Sequence, residues 1–287
     1  MTGLLRAEFL KMRKRWMPYV LFILMLAGAA FIIWAMGYST WHGDDPEFAA
    51  SGLRTFAYPY SVPALLDSGQ FWGSVFFVSI LATSTIATEH NWGTIRPALS
   101  GGVSRSSYLL TKLLTLTLVS TVALLLALGF GIALSLWATS VADVHPTVPG
   151  GFTAGDFVLM VSRAALCIVP YGLLAFTLTV ISRSTALGIA GTMGFMVLEA
   201  IAVALLGTGG GLLQDSRLLF PSHSVGSLIA ENRIAGLEYE TSALRDIDIS
   251  DQPGVWAATV VIVAQSAFLL AASFIVFLRR DVTVSHG

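Results

Sequence analysis

Six long apolar runs dominate this 287-residue chain and decide what it can fold into. The hydrocarbon core of a bilayer is about 30 Å thick, so an α-helix needs roughly 20 consecutive apolar residues to cross it. A β-barrel would show short strands that alternate apolar with polar residues, whereas these runs are apolar on every side. The sequence therefore predicts an all-α, polytopic membrane protein with six transmembrane helices. The predicted spans are residues 18–38, 68–88, 107–138, 157–181, 187–207 and 256–278.

The composition agrees with this class and argues against several functions. Hydrophobic residues make up 55% of the chain and charged residues only 11%, far below the charge content of a soluble domain. Cys167 is the only cysteine and lies in the fourth run, so no intrachain disulfide or thiolate metal cluster can form. The five histidines are scattered, and neither HExxH nor GxSxG occurs. We expect no catalytic residue, no bound metal or cofactor and no nucleic-acid partner.

The charges between the runs predict the orientation of the chain. The amino terminus and the loops on its side hold eleven of the sixteen bases and three acids, whereas the other side holds five bases and thirteen acids. By the positive-inside rule, both termini are cytoplasmic, and residues 1–287 form one transmembrane domain. The alternative is that run 18–38 is a cleaved signal peptide, with residues 35–37 as the cleavage site. The run is longer than a usual signal core of about 7–15 residues.

The first 17 residues have the pattern of an amphipathic helix. Leu4, Leu5, Phe9 and Met12 recur at helical spacing, and most of the basic residues fall elsewhere on the helical wheel. This pattern favours an interfacial helix over residues 1–17 that lies on the inner leaflet. The alternative is that the basic residues serve only to orient the first span.

The cytoplasmic stretch between the second and third runs reads "EHNWGTIRPALSGGVSRSSYLLTK" over residues 89–112. We expect a short helix within residues 91–105, ended by Ser100-Gly101-Gly102, after which Ser104 caps the third span. Such a helix is the right size to insert into a groove on a cytoplasmic partner. It would present Trp92, Ile95 and Leu99, with Arg96 and Arg105 nearby. The alternative is a positively charged connector without a partner.

This stretch resembles the segment after the second span in permease subunits of type-2 ATP-binding-cassette (ABC) exporters. The pattern E…GTxRxxLxxGxxR…K falls on Glu89, Gly93, Thr94, Arg96, Leu99, Gly102, Arg105 and Lys112. The resemblance extends to the amphipathic amino terminus, the six spans and the long outer segment. It implies that residues 91–105 are a coupling helix that docks on a separate cytoplasmic ATPase subunit, in a bacterial inner (plasma) membrane.

The same resemblance implies where ATP binds and what the other partners are. The chain has no GxxxxGK[ST] loop, so ATP and Mg are expected on the partner ATPase and this chain is not itself an enzyme. A second copy or a related permease would complete a path for an unknown substrate. Small residues that permit close helix contact recur every four positions in two runs. They are Ala123, Ala127 and Gly131, and Ala186, Ala190 and Gly194.

Residues 208–255, between the fifth and sixth runs, are too apolar for a loop that floats in water. We expect short helices there that dip into the outer leaflet, with Pro221 at the turn between them. In the relatives that this chain resembles, such helices cap the translocation path. The alternative is an ordinary packed extracellular loop.

Glu199 lies well inside the fifth run, where a carboxylate is costly and therefore a functional candidate. Its depth below the outer membrane surface is similar to that of Arg163, so the two side chains could pair. The alternative is a carboxylate that faces a substrate path. Two other functions stay open on this residue: an ion-coupled carrier that works without ATP, and a membrane-embedded enzyme acting on lipid.

Overall fold

In the computed structural model, the described residues are 2–42, 46–66, 70–100, 102–144, 151–207, 216–232 and 254–279, and all their elements are helical. The predicted outer segment 208–255 is thus described only at residues 216–232 and 254–255. In chain order the helices are α1 (Thr2–Lys14), α2 (Met17–Trp41), α3 (Pro46–Phe56), α4 (Ser61–Ala64), α5 (Gln70–Asn91), α6 (Ile95–Ser100), α7 (Arg105–Val141), α8 (Ala154–Ser182), α9 (Thr185–Gly207), α10 (Pro221–Ala230) and α11 (Val255–Arg279). The 3₁₀ turn Ser216–Leu219 precedes α10.

A helix lies at each of the six apolar runs. Within the described residues, five of them are long and apolar enough to cross a membrane: α2, α7, α8, α9 and α11. The chain is therefore an all-helical, multi-pass membrane protein. The run 68–88 corresponds to α5, whose 22 residues span about 33 Å; its crossing of the membrane stays a prediction.

Helix α5 lies in the centre of the bundle, which explains its polar composition. Every residue from Leu81 to Ala87 is buried, so no face of this part of the helix meets lipid. The helix packs against α8, α2, α9 and α7. Several of its hydroxyls donate to carbonyl oxygens of the same helix, as where Thr85 Oγ1 donates to Ala82 at 2.8 Å. A serine- and threonine-rich helix is tolerated here because its neighbours, rather than lipid, surround it.

Helix α7 is longer than a membrane crossing requires. Its 37 residues extend about 55 Å against a hydrocarbon core of about 30 Å. Its first turn is fixed by Ser104, whose Oγ accepts a hydrogen bond from the Ser107 amide at 3.1 Å. This confirms the cap predicted from the sequence. The first turns of α7 can therefore extend beyond the hydrocarbon, where α7 contacts α1.

The outer end of α2 contains a structure that the sequence did not predict. Residues Ile32–Tyr38 form a π-helical segment, and α3 folds back against it. Aromatic rings fill the contact; the Tyr38 ring lies 5.6 Å from that of Phe56 and 5.9 Å from that of Trp41. Close approach depends on Gly52, where an added Cβ would lie 2.4 Å from the Trp41 backbone nitrogen.

The Gly52 contact gives a direct test of this outer substructure. Gly52→Ala should lower the unfolding temperature in detergent by several degrees, because overpacking against a backbone atom typically costs about 1–3 kcal/mol. Gly28→Ala is the matched control, since no atom lies within 4 Å of a Cβ added there and alanine favours a helix more than glycine does. Equal unfolding temperatures for Gly52→Ala and the wild-type chain would contradict the packing described.

Candidate functional site

Four charged side chains form a closed ring where α1, α5 and α7 meet. The Lys112 Nζ lies 2.5 Å from Glu8 Oε2 and 2.7 Å from Glu89 Oε1. The Lys11 Nζ lies 2.8 Å from Glu8 Oε1 and 2.7 Å from Glu89 Oε1. Each carboxylate therefore contacts both ammonium groups, and the charges cancel. We call these four residues the charge ring.

Burial makes the charge ring energetically important. The side chains of Lys112 and Glu89 are 2% and 3% exposed, and that of Glu8 is 10% exposed. The Tyr108 hydroxyl donates a further hydrogen bond to Glu89 Oε2. Charges removed from water are stable only when each has partners, and removal of one partner leaves an uncompensated ion. The ring is therefore stable as a set, and no member can be lost without penalty.

Lys11 is the ring member nearest to water. Burial alone would lower its pKa, but the hydrogen bonds to Glu8 and Glu89 raise the pKa above its ordinary value of 10.5. The side chain is still 47% exposed. Lys11 therefore stays charged at neutral pH and closes the ring on its solvent side.

Between Glu89 and Lys112, the chain makes two sharp turns around the short helix α6. Gly93 and Gly102 have φ values of 66° and 87°, a region that favours glycine. The amide of Thr94 donates to the Glu89 carbonyl oxygen at 3.1 Å, which closes the first turn. Helix α6 ends at Ser100, as the sequence predicted. Glycine turns on both sides and the charge ring at its base thus fix the direction of this segment.

The other predicted residues of this segment divide into buried and exposed ones. Ile95 is 3% exposed and packs into the main apolar core, whereas Trp92 is 70% exposed. The Arg15 guanidinium carbon lies 5.7 Å from the centre of the Trp92 ring, within cation–π range. The side chains of Arg96 and Leu99 lie outside the described part of the structure. Trp92 is therefore a large apolar side chain that this segment exposes.

Arg105 connects the segment to the last helix. Its Nη1 donates to the carbonyl oxygen of Leu278 at 3.1 Å, near the carboxyl end of α11. One helical turn further along α7, the Tyr108 ring stacks on that of Phe277 at 5.7 Å. The inner end of α7 is thus attached to α11 as well as to α1 and α5.

Glu199 and Arg163, predicted as a possible pair, do not meet. The Glu199 carboxylate accepts hydrogen bonds from the Tyr171 hydroxyl at 3.1 Å and from the Ser222 amide at 2.6 Å. The Nη1 of Arg163 donates to the Glu231 carbonyl oxygen at 2.9 Å instead. The pairing hypothesis is wrong because α10, which depth estimates along α8 and α9 could not include, supplies other partners to both side chains.

The sequence analysis placed Glu89 in the candidate site and Lys112 in the motif that ends it, but it missed Glu8, Lys11 and Tyr108. One signal was present: Glu8 is the single acid in an otherwise basic amino-terminal helix, three residues before Lys11. In the described residues, no cluster of three or more His, Cys, Asp or Glu side chains could hold a metal ion. What the described residues do show at this site is a set of ion pairs and hydrogen bonds that joins α1, α5 and α7.

Comparison with known protein families identifies the family of the chain. The sequence model of a family described as "ABC-2 family transporter protein" matches residues 4–199 of the 287-residue chain. The chain belongs to the ABC-2 transporter family. As an ABC-2 protein it is a multi-pass membrane subunit of an ABC transporter. The matched range contains the whole charge ring and the segment 91–105, and it ends at Glu199; α10 and α11 lie beyond it. A search of curated proteins finds no match.

The charge ring of this ABC-2 subunit predicts a strongly non-additive mutant pair. Lys112→Met should lower the free energy of unfolding by about 3–5 kcal/mol, because it leaves Glu8 and Glu89 with one shared cation. Lys112→Met combined with Glu89→Gln should cost less than the sum of the two single changes. Thermal unfolding in detergent measures both. Lys14→Met, at an exposed position of α1, is the control, and strict additivity would show that the ring is not a unit.

Proposed function

We propose that this chain is the membrane-spanning subunit of an ATP-driven exporter and that residues 91–105 couple it to separate cytoplasmic ATPase subunits. The observation that carries the proposal is the charge ring at the base of this segment. It joins the end of α5 to the start of α7, on either side of α6, and binds both to α1. Family membership supports a role in transport. The outward direction of transport and the coupling to a partner ATPase are what we propose.

The geometry suits a docking element that must transmit force. A flexible loop would absorb the movement of a partner, whereas both ends of this segment are attached to α1 by a closed set of ion pairs. Helix α6 is anchored by Ile95 in the core, and Trp92 extends towards the cytoplasm. A large exposed aromatic side chain beside a cation is typical of the residues that dominate binding energy at interfaces. A push on this segment would therefore move α1, α5 and α7 together.

The remaining parts of the proposal concern nucleotide and assembly. ATP and Mg bind to the partner ATPase, and this chain contributes the substrate path. The small residues of the third run, among them Gly131, are buried within the chain, whereas Ala186, Ala190 and Gly194 on α9 are exposed. Exposed small residues at this spacing support contact with a second copy or a related permease. The membrane is the inner (plasma) membrane of a bacterium, with both chain termini in the cytoplasm.

An ion-coupled carrier and a lipid enzyme are less well supported. Both would use Glu199, but its two oxygens contact a tyrosine hydroxyl and a backbone amide within the protein. These contacts favour a structural role for the carboxylate. Transport by the purified chain alone in a proton gradient, without an ATPase, would favour the carrier.

Exchange of the exposed tryptophan tests the proposed docking segment. Trp92→Ala should weaken binding of the co-purifying ABC ATPase by roughly 30-fold, since a central aromatic anchor contributes about 2 kcal/mol or more. Arg96→Glu should reduce the ATP-dependent transport of the full-length chain as well. The measurements are ATPase retained on the purified chain and ATP-driven transport in vesicles.

A tryptophan at the other end of the molecule provides the control. Trp256, at the start of α11, is 84% exposed, so Trp256→Ala makes a comparable surface change without touching the docking segment. It should leave ATPase binding unchanged. Wild-type ATPase binding by Trp92→Ala and Arg96→Glu, with normal unfolding temperatures, would remove the docking role from residues 91–105.

A further inference from the structure

Side chains of α9 and α11 bind the start of α10 and the turn before it, and a side chain of α8 supports the first of these contacts. From α9, Glu199 Oε1 accepts the hydrogen bond of the Ser222 amide at 2.6 Å. From α8, the Tyr171 hydroxyl holds the other carboxylate oxygen at 3.1 Å. From α11, Gln265 Nε2 donates to the carbonyl oxygen of Leu219 at 2.5 Å, just before α10 begins. The start of this short helix is thus attached directly to α9 and α11, and through the Glu199 carboxylate to Tyr171 of α8.

Glu199 supplies the hydrogen-bond acceptor that a capping side chain would normally provide at the start of α10. The residue before the helix is Phe220, which makes no side-chain cap, and Pro221 has no amide hydrogen. The Ser222 amide is therefore among the first N–H groups of the helix that need an external acceptor. A carboxylate at this position is favourable twice, because it accepts the hydrogen bond and faces the positive end of the helix dipole.

The contact also satisfies a carboxylate that has little access to water. Glu199 is 2% exposed, and a buried carboxylate within a membrane protein is costly without donors. If α10 moved away from the bundle, Glu199 would lose the Ser222 amide, and the helix would lose its acceptor. The two needs are met together only when α10 lies against α8 and α9.

We propose that Glu199 is a positioning residue that latches α10 over the outer end of the bundle, and that release of this latch opens the outer end during transport. The role in transport rests on the proposed function. The latch itself requires only α8, α9 and α10. It can therefore be tested without nucleotide and without the partner ATPase.

A cysteine in α10 can report whether the helix is latched. Ser224 is fully buried, and its hydroxyl has no hydrogen-bond partner within the described residues, so Ser224→Cys breaks no described contact. The background is Cys167→Ser, because Cys167 is the only native cysteine. The measurement is the rate at which a membrane-impermeant maleimide modifies the introduced cysteine in right-side-out vesicles that contain the full-length chain without nucleotide.

Removal of the latch should expose this reporter. With Glu199→Ala, maleimide modification should become about tenfold faster or more, since a hydrogen bond to a charged group is lost from the closed state. Glu199→Gln keeps an acceptor oxygen for the Ser222 amide, and Tyr171→Phe removes only one hydroxyl. Both should accelerate modification less than Glu199→Ala. Leu219→Cys, at a position that is 71% exposed, should be modified rapidly in every background.

Each result decides a separate point. Equally slow modification of the Ser224→Cys reporter with Glu199→Ala and with Glu199, in chains of normal unfolding temperature, would overturn the latch. If Glu199→Ala does not fold, unchanged rates with both Glu199→Gln and Tyr171→Phe would overturn it instead. Modification only from the cytoplasmic side would place α10 on the wrong face and also reject it. Loss of ATPase coupling with the expected order of rates would overturn only the proposed function.

Discussion

The charge ring is the contact on which the inner half of the molecule depends. Glu8, Glu89 and Lys112 are almost completely buried, yet they come from three helices that are far apart in sequence. Because every ion has two partners of opposite sign, the site is neutral as a whole and intolerant of any single loss. The helices α1, α5 and α7 are consequently fixed to one another at the membrane surface. Helix α1, most of whose residues are exposed, is thereby attached to the bundle through Glu8 and Lys11.

Away from this ring, the bundle is held by contacts typical of helices in lipid. Gly188 lies where an added Cβ would come within 2.4 Å of Thr83 and 2.1 Å of Thr179, so α5, α8 and α9 approach closely there. The Thr177 and Ser273 hydroxyls are 2.8 Å apart between α8 and α11. Small residues and shared hydroxyls allow this packing where lipid gives no hydrophobic drive for helices to associate. The polar character of α5 follows from the same principle.

Features that depend on neighbouring residues could be predicted from the sequence, and those that depend on distant ones could not. Apolar length predicted the long helices, and the Ser104 cap and the end of α6 at Ser100 follow from local backbone chemistry. The bond between Lys112 and Glu8 joins residues 104 positions apart, and no local pattern indicates it. Helix α3 was missed because it is short and depends on the π-helical segment for its packing. Arg163 and Glu199 were matched by depth alone, and the intervening helix α10 changed both sets of contacts.

Helix α11 contacts both the start of α7 and the turn that precedes α10. Near its carboxyl end, the Leu278 carbonyl oxygen accepts a hydrogen bond from Arg105; closer to the middle of the helix, Gln265 donates to the carbonyl oxygen of Leu219, in the turn that precedes α10. The two contact points are separated by about 20 Å of uninterrupted α-helix. Because an uninterrupted helix of this length is stiff, a tilt at one of these contact points also tilts the helix at the other. A tilt of α11 would therefore move the start of α7 and the turn before α10 together.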